Sequence, residues 1–276
     1  MIQLLRDGSR ILKAALTASR ALRFALLWQL ILLLAGALAM PFDHRQILGL
    51  NPWIKPMKFE LSIIIYLLTI ALLLYGLRWH RSAEEGLAFP RTRTVLGWGF
   101  AAAMTVENTV IALQSLRGVR SHMNFTSPLN ASLFALMGLF IIVNTILVCW
   151  LLLLWFRAQV RTPAAVTWGV RLGLLMLLAG SVEGFLIVGH GGHTVGAVDG
   201  LPGLPFLNWS RGHGDLRVAH FFALHALQVW PMAGLLLSRA RVAQAVKVVC
   251  LFAFAAAYTG GVWWMFANAM HGRPLL

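Results

Sequence analysis

The chain has 276 residues, 59% of them hydrophobic and 12% charged, and its 23 Lys and Arg against 9 Asp and Glu give a formal charge of +14. A soluble domain carries about 45–50% apolar and about 25% charged residues, so this composition excludes a water-soluble globular fold and predicts an all-α integral membrane protein. The positive charge falls mostly between apolar runs, where it signals topology rather than nucleic-acid binding, and the two cysteines support neither a disulfide framework nor a Cys-rich metal site.

Residues 1–23 place Arg6, Lys13 and Arg20 seven apart, with Arg10 near the same stripe and Leu5, Leu12, Leu16 and Leu22 among the apolar positions. That pattern predicts a cytoplasmic amphipathic helix lying on an anionic leaflet. An Arg-rich, acid-poor start is also the mark of a mitochondrial transit peptide. The apolar run and basic loops that follow read instead as a bacterial inner-membrane anchor without a cleavable secretory signal.

Seven apolar runs follow, near 24–40, 58–77, 95–116, 131–156, 168–190, 218–237 and 243–268. Each is long enough for a hydrocarbon core of about 30 Å. The expected architecture is a seven-transmembrane-helix bundle forming one polytopic domain over 1–276, with Gly36, Gly97, Gly99, Gly138, Gly173 and Gly180 allowing close helix approach. With the N-terminus inside and the C-terminus outside, fifteen of the 23 basic residues are cytoplasmic. The other eight are Arg45, Lys55, Lys58, Arg117, Arg120, Arg211, Arg217 and Arg273. This N-in/C-out orientation satisfies the positive-inside rule, and Trp79, Trp98, Trp155 and Trp168 then flank the inner interface, with Trp53, Trp209, Trp263 and Trp264 near the outer one. Cys149 and Cys250 sit in apolar runs and are expected to be small buried hydrophobes.

Eight of the nine histidines fall at or near the outer face, His80 alone falling on the other. Among the acidic residues Asp7, Glu84 and Glu85 are inside, whereas Asp43, Glu60, Glu107, Glu183, Asp199 and Asp215 are outside or within the membrane. A charge at mid-membrane costs about 2.5–3.5 kcal/mol on insertion scales, so intramembrane carboxyls face the protein interior and mark functional positions by default.

The first outer loop offers Asp43, His44, Asn51, Trp53, Lys55 and Lys58 among Pro41, Pro52 and Pro56, and Glu60 begins the next span. In the third span Glu107 and Gln114 are seven apart and share a face, with Arg117, Arg120, His122, Asn124 and Asn130 beyond. Glu183 and His190 repeat the spacing in the fifth span, placing a carboxyl about 10 Å beneath a histidine. Gly189-His190-Gly191-Gly192-His193 ends that span, and residues 191–217, with Asp199, Pro202, Pro205 and Asp215, are too long for a simple connector. They predict an outer cap loop, folded because it contains Leu201, Leu204, Phe206, Leu207 and Trp209. Asn124, Asn130 and Asn208 begin N-x-S/T triplets that are read as chance.

In the sixth span His220 and His225 lie about 140° apart around the helix, too far to hold one metal together. His225 instead shares a face with Gln228 and Met232, and Pro231 is expected to kink the helix or expose a carbonyl. Tyr66, Asn144, Tyr258 and Asn268 are candidate interhelical glue.

These residues predict an outward-facing His/Glu site. Its first reading is redox chemistry on haem, held by His190 or His193 and by His220 or His225, or on copper, iron or zinc held by His122, His190, His193, His225 and Glu183. Glu107, Glu183 and Gln228 are then the reactive groups, and Arg117, Asp199, Asp215 and Arg217 the substrate contacts. The second reading is a proton-coupled transporter of a small solute using Glu107, Glu183 and His225; the third is a metal-independent enzyme or lipid-binding scaffold in which arginines meet anionic groups. Expected partners are bilayer lipid and a quinone or small solute. No P-loop, zinc-protease helix or dinucleotide fingerprint is present.

Overall fold

The computed structural model describes residues 2–77, 90–158, 160 and 162–275, with side chains from residue 9 onward. Arg78, Trp79, His80, Arg81, Glu84, Glu85 and Arg161 lie outside the described residues, as do the side chains of Leu5, Arg6 and Asp7.

Among the described residues there are eight helices: α1 (Ile2–Thr17), α2 (Arg20–Ala39), α3 (Ile54–Gly76), α4 (Pro90–Leu116), α5 (Pro128–Arg157), α6 (Ala164–His190), α7 (Leu216–Ser238) and α8 (Gln244–Met270). Seven of them, α2 to α8, are long and apolar enough to cross a membrane. The chain is a helical membrane protein. Leu34, Leu139, Ile146, Leu236, Val249 and Trp263 all stand exposed on helix surfaces, which a bilayer solvates and water does not. Cys149 and Cys250 are exposed too, not buried as expected. The reason is that an apolar run in lipid turns much of its circumference outward, so apolar sequence alone does not locate the interior.

The described residues divide into two compact units. The first holds residues 1–47 and 51–161, and so α1 to α5; the second holds residues 48–50 and 162–276, with α6 to α8.

In the first unit α2 packs on α3 and α4, and α4 on α5. Ser19 caps α2 by accepting a bond from Leu22 N at 3.3 Å. Ser127 does the same for α5 with Asn130 N, and Pro128 opens the helix where a missing N–H costs nothing. Tyr66 donates to Asn144 Oδ1 at 2.9 Å, tying α3 to α5 as interhelical glue. The α2–α3 connection is a folded turn: the Asp43 carboxylate holds Arg45 through two guanidinium nitrogens at 2.7 and 2.8 Å and Trp53 Nε1 at 2.9 Å. The hydrogen bonds of Arg45 hold the Asp43 carboxyl far below the usual carboxylate range, against partial desolvation. Arg45 also donates to Leu116 O with both terminal nitrogens, at 3.1 Å each, placing a cation on an unsatisfied carbonyl at the end of α4.

In the second unit the α6–α7 contact is built on glycine. A Cβ on Gly169 would stand 2.5 Å from Trp230 O, one on Gly173 3.1 Å from Leu227 Cα, and one on Gly180 3.0 Å from the Ala223 Cβ. The α7 backbone therefore fits against α6 where any side chain would hold it away. The helix runs unbroken through Pro231. Tyr258 of α8 donates to Phe222 O at 2.8 Å.

The α6–α7 connection is folded by polar fasteners. α6 ends at Gly191 in the left-handed conformation, φ 80°. Strands β1 (Thr194–Val195) and β2 (Gly214–Asp215) pair antiparallel. The Asp199 carboxylate accepts from His193 N and Thr194 N, and Asp215 accepts from Ser210 N at 2.9 Å while capping α7 through Arg217 N at 3.1 Å. Phe206 and Leu201 are exposed. Of the expected apolar anchors, Trp209 is the one that packs on aromatic rings, those of Phe221 and Phe222.

Candidate functional site

The end of α4 and the turn to α5 gather most of the buried polar atoms of the first unit. Glu107, Asn108, Gln114 and Ser115 on α4, Ser121 and Asn124 in the turn, and Asn130 on α5 are all buried. Gln114 Nε2 donates to Asn130 Oδ1 at 3.2 Å, and Arg117 Nη1 donates to that same oxygen at 2.8 Å and to Gln114 Oε1 at 2.5 Å. Asn130 Nδ2 in turn donates to Thr126 Oγ1, and Asn124 Nδ2 to Arg120 O. Arg117, expected as a substrate contact, is a fastener of this network.

His122 occupies the centre of the turn. Its Nδ1 lies 3.2 Å from Lys55 Nζ of α3 and 3.0 Å from Ser121 Oγ, and its Nε2 lies 3.5 Å from Glu107 Oε1. A lysine ammonium has donors only, so Nδ1 accepts and Nε2 carries the ring hydrogen toward the carboxylate. The ring is held between Phe59 and Phe134, at centroid distances of 5.8 and 6.1 Å. Desolvation by these neighbours, with the Lys55 charge, holds His122 below its usual value, although Glu107 pulls the other way. The ring thus lies between the Lys55 amino group and the Glu107 carboxyl. The histidine side chain is 27% exposed and the glutamate 4%, so the line leads from a solvent-accessible ring to an enclosed carboxyl.

At about the depth of Glu107 a separate set of polar groups joins α4 to α2. Asn108 Nδ2 donates to Gln29 Oε1 at 2.5 Å and Gln29 Nε2 to Met104 O at 3.3 Å, both side chains fully enclosed. Beside them Trp28 Nε1 donates to Thr109 Oγ1 at 2.8 Å. Gln29 stands at the middle of α2, so hydrogen-bonding groups reach about the midplane of the span. Glu107 Oε2, Asn108 Oδ1 and both carboxylate oxygens of Glu60 are buried without a hydrogen-bond partner among the described residues. Such orphans in apolar surroundings are costly and need a reason to persist.

The second unit distributes the other predicted residues differently. His190 is exposed, its Nδ1 2.9 Å from Gly192 O. His193 Nδ1 lies 3.2 Å from Asp199 Oδ1 and 3.9 Å from Asp215 Oδ1. Burial raises the Asp199 carboxyl, but the His193 charge and the Thr194 and His193 hydrogen bonds outweigh it and leave the group below its usual range. Asp215 is bound by Arg217 at 2.6 Å, and Arg217 reaches on to Asn208 O. These four residues close the loop onto the start of α7.

His220 Nδ1 lies 2.8 Å from Gly180 O, and the ring fills the space left by Gly184, whose Cβ would stand 3.0 Å from its Cε1. His225 packs tilted against Phe221, ring centroids 4.3 Å apart, and bonds Gln228, the partner its helical spacing predicts. Glu183 keeps one buried oxygen without a partner. No three His, Cys, Asp or Glu side chains converge on a metal-sized point among the described residues. The donors proposed for a copper, iron or zinc centre, His122, His190, His193, His225 and Glu183, are therefore not gathered into one set.

Searches against family models, characterised proteins and solved structures gave no match. The site must be read from its own geometry. The residues that sequence reasoning missed are Lys55 and Ser121 as partners of His122, and the Gln29–Asn108 pair. Gln29 was findable as a lone amide in an otherwise apolar run; the contacts of Lys55 and Ser121 depend on the turn's conformation, which spacing does not encode.

Proposed function

We propose that the protein is a proton-coupled membrane protein of the small-solute transport class, with His122 and Glu107 as its proton-exchanging pair. The observation that supports this is the line Lys55–His122–Glu107, which runs from a partly exposed ring to an enclosed carboxyl at hydrogen-bond or near hydrogen-bond distances. A proton arriving on Nδ1, from Lys55 or from water, releases the Nε2 proton to Glu107 Oε1. The imidazole ends neutral in its other tautomer and the carboxyl ends protonated, so charge is conserved at each transfer. The enclosed amides of Asn108 and Gln29 are the hydrogen-bonding groups that a polar solute would meet at about the depth of the carboxyl. The distribution of Lys and Arg supports reading this end of α4 as outside and the N-terminus as inside, with a bacterial inner membrane as the proposed setting.

Infrared titration of the full chain in proteoliposomes tests the pair. A carboxyl band that titrates in wild type, vanishes in Glu107→Gln and shifts its midpoint in His122→Ala is the expected result. An unchanged band in both variants refutes the assignment. A redox reading rests on one observation, the His220 Nδ1 contact to Gly180 O, since a backbone-bonded Nδ1–H leaves Nε2 as the ligating nitrogen. An optical spectrum of protein purified from cells supplied with haem decides it, a Soret band lost in His220→Ala being the required outcome.

A further inference from the structure

Glu60 is an intramembrane carboxyl that the proposed proton pair does not use. It is fully enclosed, and neither of its oxygens meets a hydrogen-bond donor among the described residues. Its direction follows from its neighbours on α3. Met57, three residues before it, packs on Gly36 of α2, where an added Cβ would lie 3.2 Å from Met57 Cγ. Phe59 packs instead against the cluster of Val110 and Ile111 of α4 and Met137 of α5. Glu60 lies between these two directions, about 60° round the helix from Met57 and about 100° from Phe59. It belongs to the stripe of Pro56, Glu60, Ile63 and Leu67 that α3 buries. The carboxyl is thus turned into the wedge where α2, α3 and α4 each pack on the other two.

Across the same wedge Asn108 of α4 meets Gln29 of α2. Gln29 is seven residues inward of Gly36, about 10 Å, whereas Glu60 is three residues inward of Met57, about 5 Å, so the amides lie about one turn beneath the Glu60 carboxyl. Asn108 donates its N–H to Gln29, but its Oδ1 has no partner. One turn deeper, on the same face of α4, Thr105 has a buried Oγ1 without one. Descending from Glu60, the wedge therefore offers two carboxyl oxygens, an amide oxygen and a hydroxyl oxygen, none of them answered by a donor among the described residues.

This set selects a ligand by its chemistry and its charge. Hard cations take oxygen ligands, and a single carboxylate balances a single positive charge. A divalent ion would leave a net charge in an apolar interior, which burial penalises strongly. A monovalent ion leaves the wedge neutral.

We propose that the α2–α3–α4 wedge binds a small monovalent metal cation, with the Glu60 carboxylate as its counter-charge and Asn108 Oδ1 and then Thr105 Oγ1 as the next oxygens inward. The site goes beyond the transport reading: the ion binds whether or not His122 and Glu107 exchange a proton.

Melting curves of the full chain in detergent test the site, with lithium, sodium or potassium chloride exchanged for choline chloride at constant ionic strength so that screening is unchanged. A cation that binds the folded state raises the melting temperature. Wild type is expected to show a saturable rise with at least one of the three ions, the lowest half-saturating concentration naming the occupant. Glu60→Gln should raise that concentration roughly tenfold or more and Asn108→Ala roughly threefold, the effects of losing a charged and a neutral partner. Glu107→Gln should leave it unchanged. Labelling of wild type by a hydrophobic carbodiimide, read by peptide mass spectrometry, locates the ion without any variant, the bound cation being expected to protect Glu60. No saturable rise with any of the three ions in wild type overturns the proposal, whether or not the variants fold. Labelling of Glu60 that the cation leaves unchanged overturns it too. So does a loss in Glu107→Gln as large as in Glu60→Gln, which moves the ion to the proton pair.

Discussion

Replacing Gln29 and Asn108 by leucine, singly and together, separates the structural from the chemical role of the polar chain. Both side chains are fully enclosed, joined by the 2.5 Å bond from Asn108 Nδ2 to Gln29 Oε1, and Asn108 Oδ1 is already without a partner. Gln29→Leu strands the Asn108 amide, and Asn108→Leu strands the Gln29 carbonyl. Each stranded group costs about 1–3 kcal/mol in an apolar interior. Hydrogen bonds between membrane helices measure about 0.6 kcal/mol on average and about 1.7 at most, which favours the lower end, so each single variant should lose about 1–2 kcal/mol. The double variant leaves neither group and adds apolar volume of similar size. It should stand within about 0.5 kcal/mol of wild type, a coupling of about 1.5–4 kcal/mol. Equilibrium unfolding in mixed micelles, followed by helicity, measures all four proteins. A double variant as destabilised as the two singles added together refutes the reasoning, because it means that the amides contribute independently through other contacts. The folded double variant then reports on function: if Asn108 and Gln29 hold a solute, uptake is lost although His122 and Glu107 are unchanged.

Three further outcomes follow from the same geometry. His122 lies below its usual value of 6.5 because of desolvation and the Lys55 charge; the unfolded histidine therefore takes up a proton first as pH falls, and this contribution to stability, complete above about 6.5, is lost on further acidification. Lys55→Met should move the His122 titration upward, which histidine NMR checks; a downward move contradicts the assigned cause. Asp215→Ala removes the α7 cap, worth about 1 kcal/mol, and the bonds to Arg217, worth about 1.5–3 kcal/mol, so about 2–4 kcal/mol should be lost, while Asp215→Asn recovers the cap share. Gly169→Ala presses a methyl onto the Trp230 carbonyl and should cost about 1–3 kcal/mol, whereas Gly138→Ala meets nothing within 4 Å and should be neutral or gain up to about 1 kcal/mol. Thermal melting orders these variants, and equal melting of the two alanine variants counts against the close α6–α7 seat.

The seven spans were legible because the hydrocarbon core forces a length and an apolar composition on each, and their boundaries fall within a few residues of those read from hydropathy. Helical spacing also located His225 beside Gln228, and Tyr66 and Tyr258 as glue. What spacing could not give is which face is turned to lipid, as Cys149 and Cys250 demonstrate. Nor could it give how a turn folds back. His122 meets Lys55 only because residues 117–127 return the chain over the end of α4, a path set by the bonds of Arg117, Asn124 and Asn130. The α6–α7 loop was expected to fold through its large apolar residues, yet Phe206 and Leu201 are exposed and the loop is closed by Asp199 and Asp215. Short segments that cannot bury much apolar area gain more from satisfied backbone N–H groups.

The two units use opposite means of holding helices together, and this bears on where chemistry resides. In the first, Gln29, Glu60, Glu107, Asn108, Gln114, Asn130 and Asn144 are buried within the spanning helices, several without full hydrogen bonding. In the second, the buried polar side chains among the described residues are Thr167, Thr194 and Asp215, and the α6–α7 contact is glycine against backbone. Glycine seats need no polar group to be stable, and Asp215 has its full set of partners. An interior that must only pack does not retain unsatisfied carboxyls and amides, since their apolar replacement is neutral or stabilising. Glu183 keeps one such oxygen in the second unit, whereas Glu60 and Glu107 keep three in the first among the described residues, and that balance favours a working site in the first unit. The histidines of the second unit that dominate the sequence reading are largely occupied: His193 by carboxylates, His220 by a backbone carbonyl, and His225 by Phe221 and Gln228.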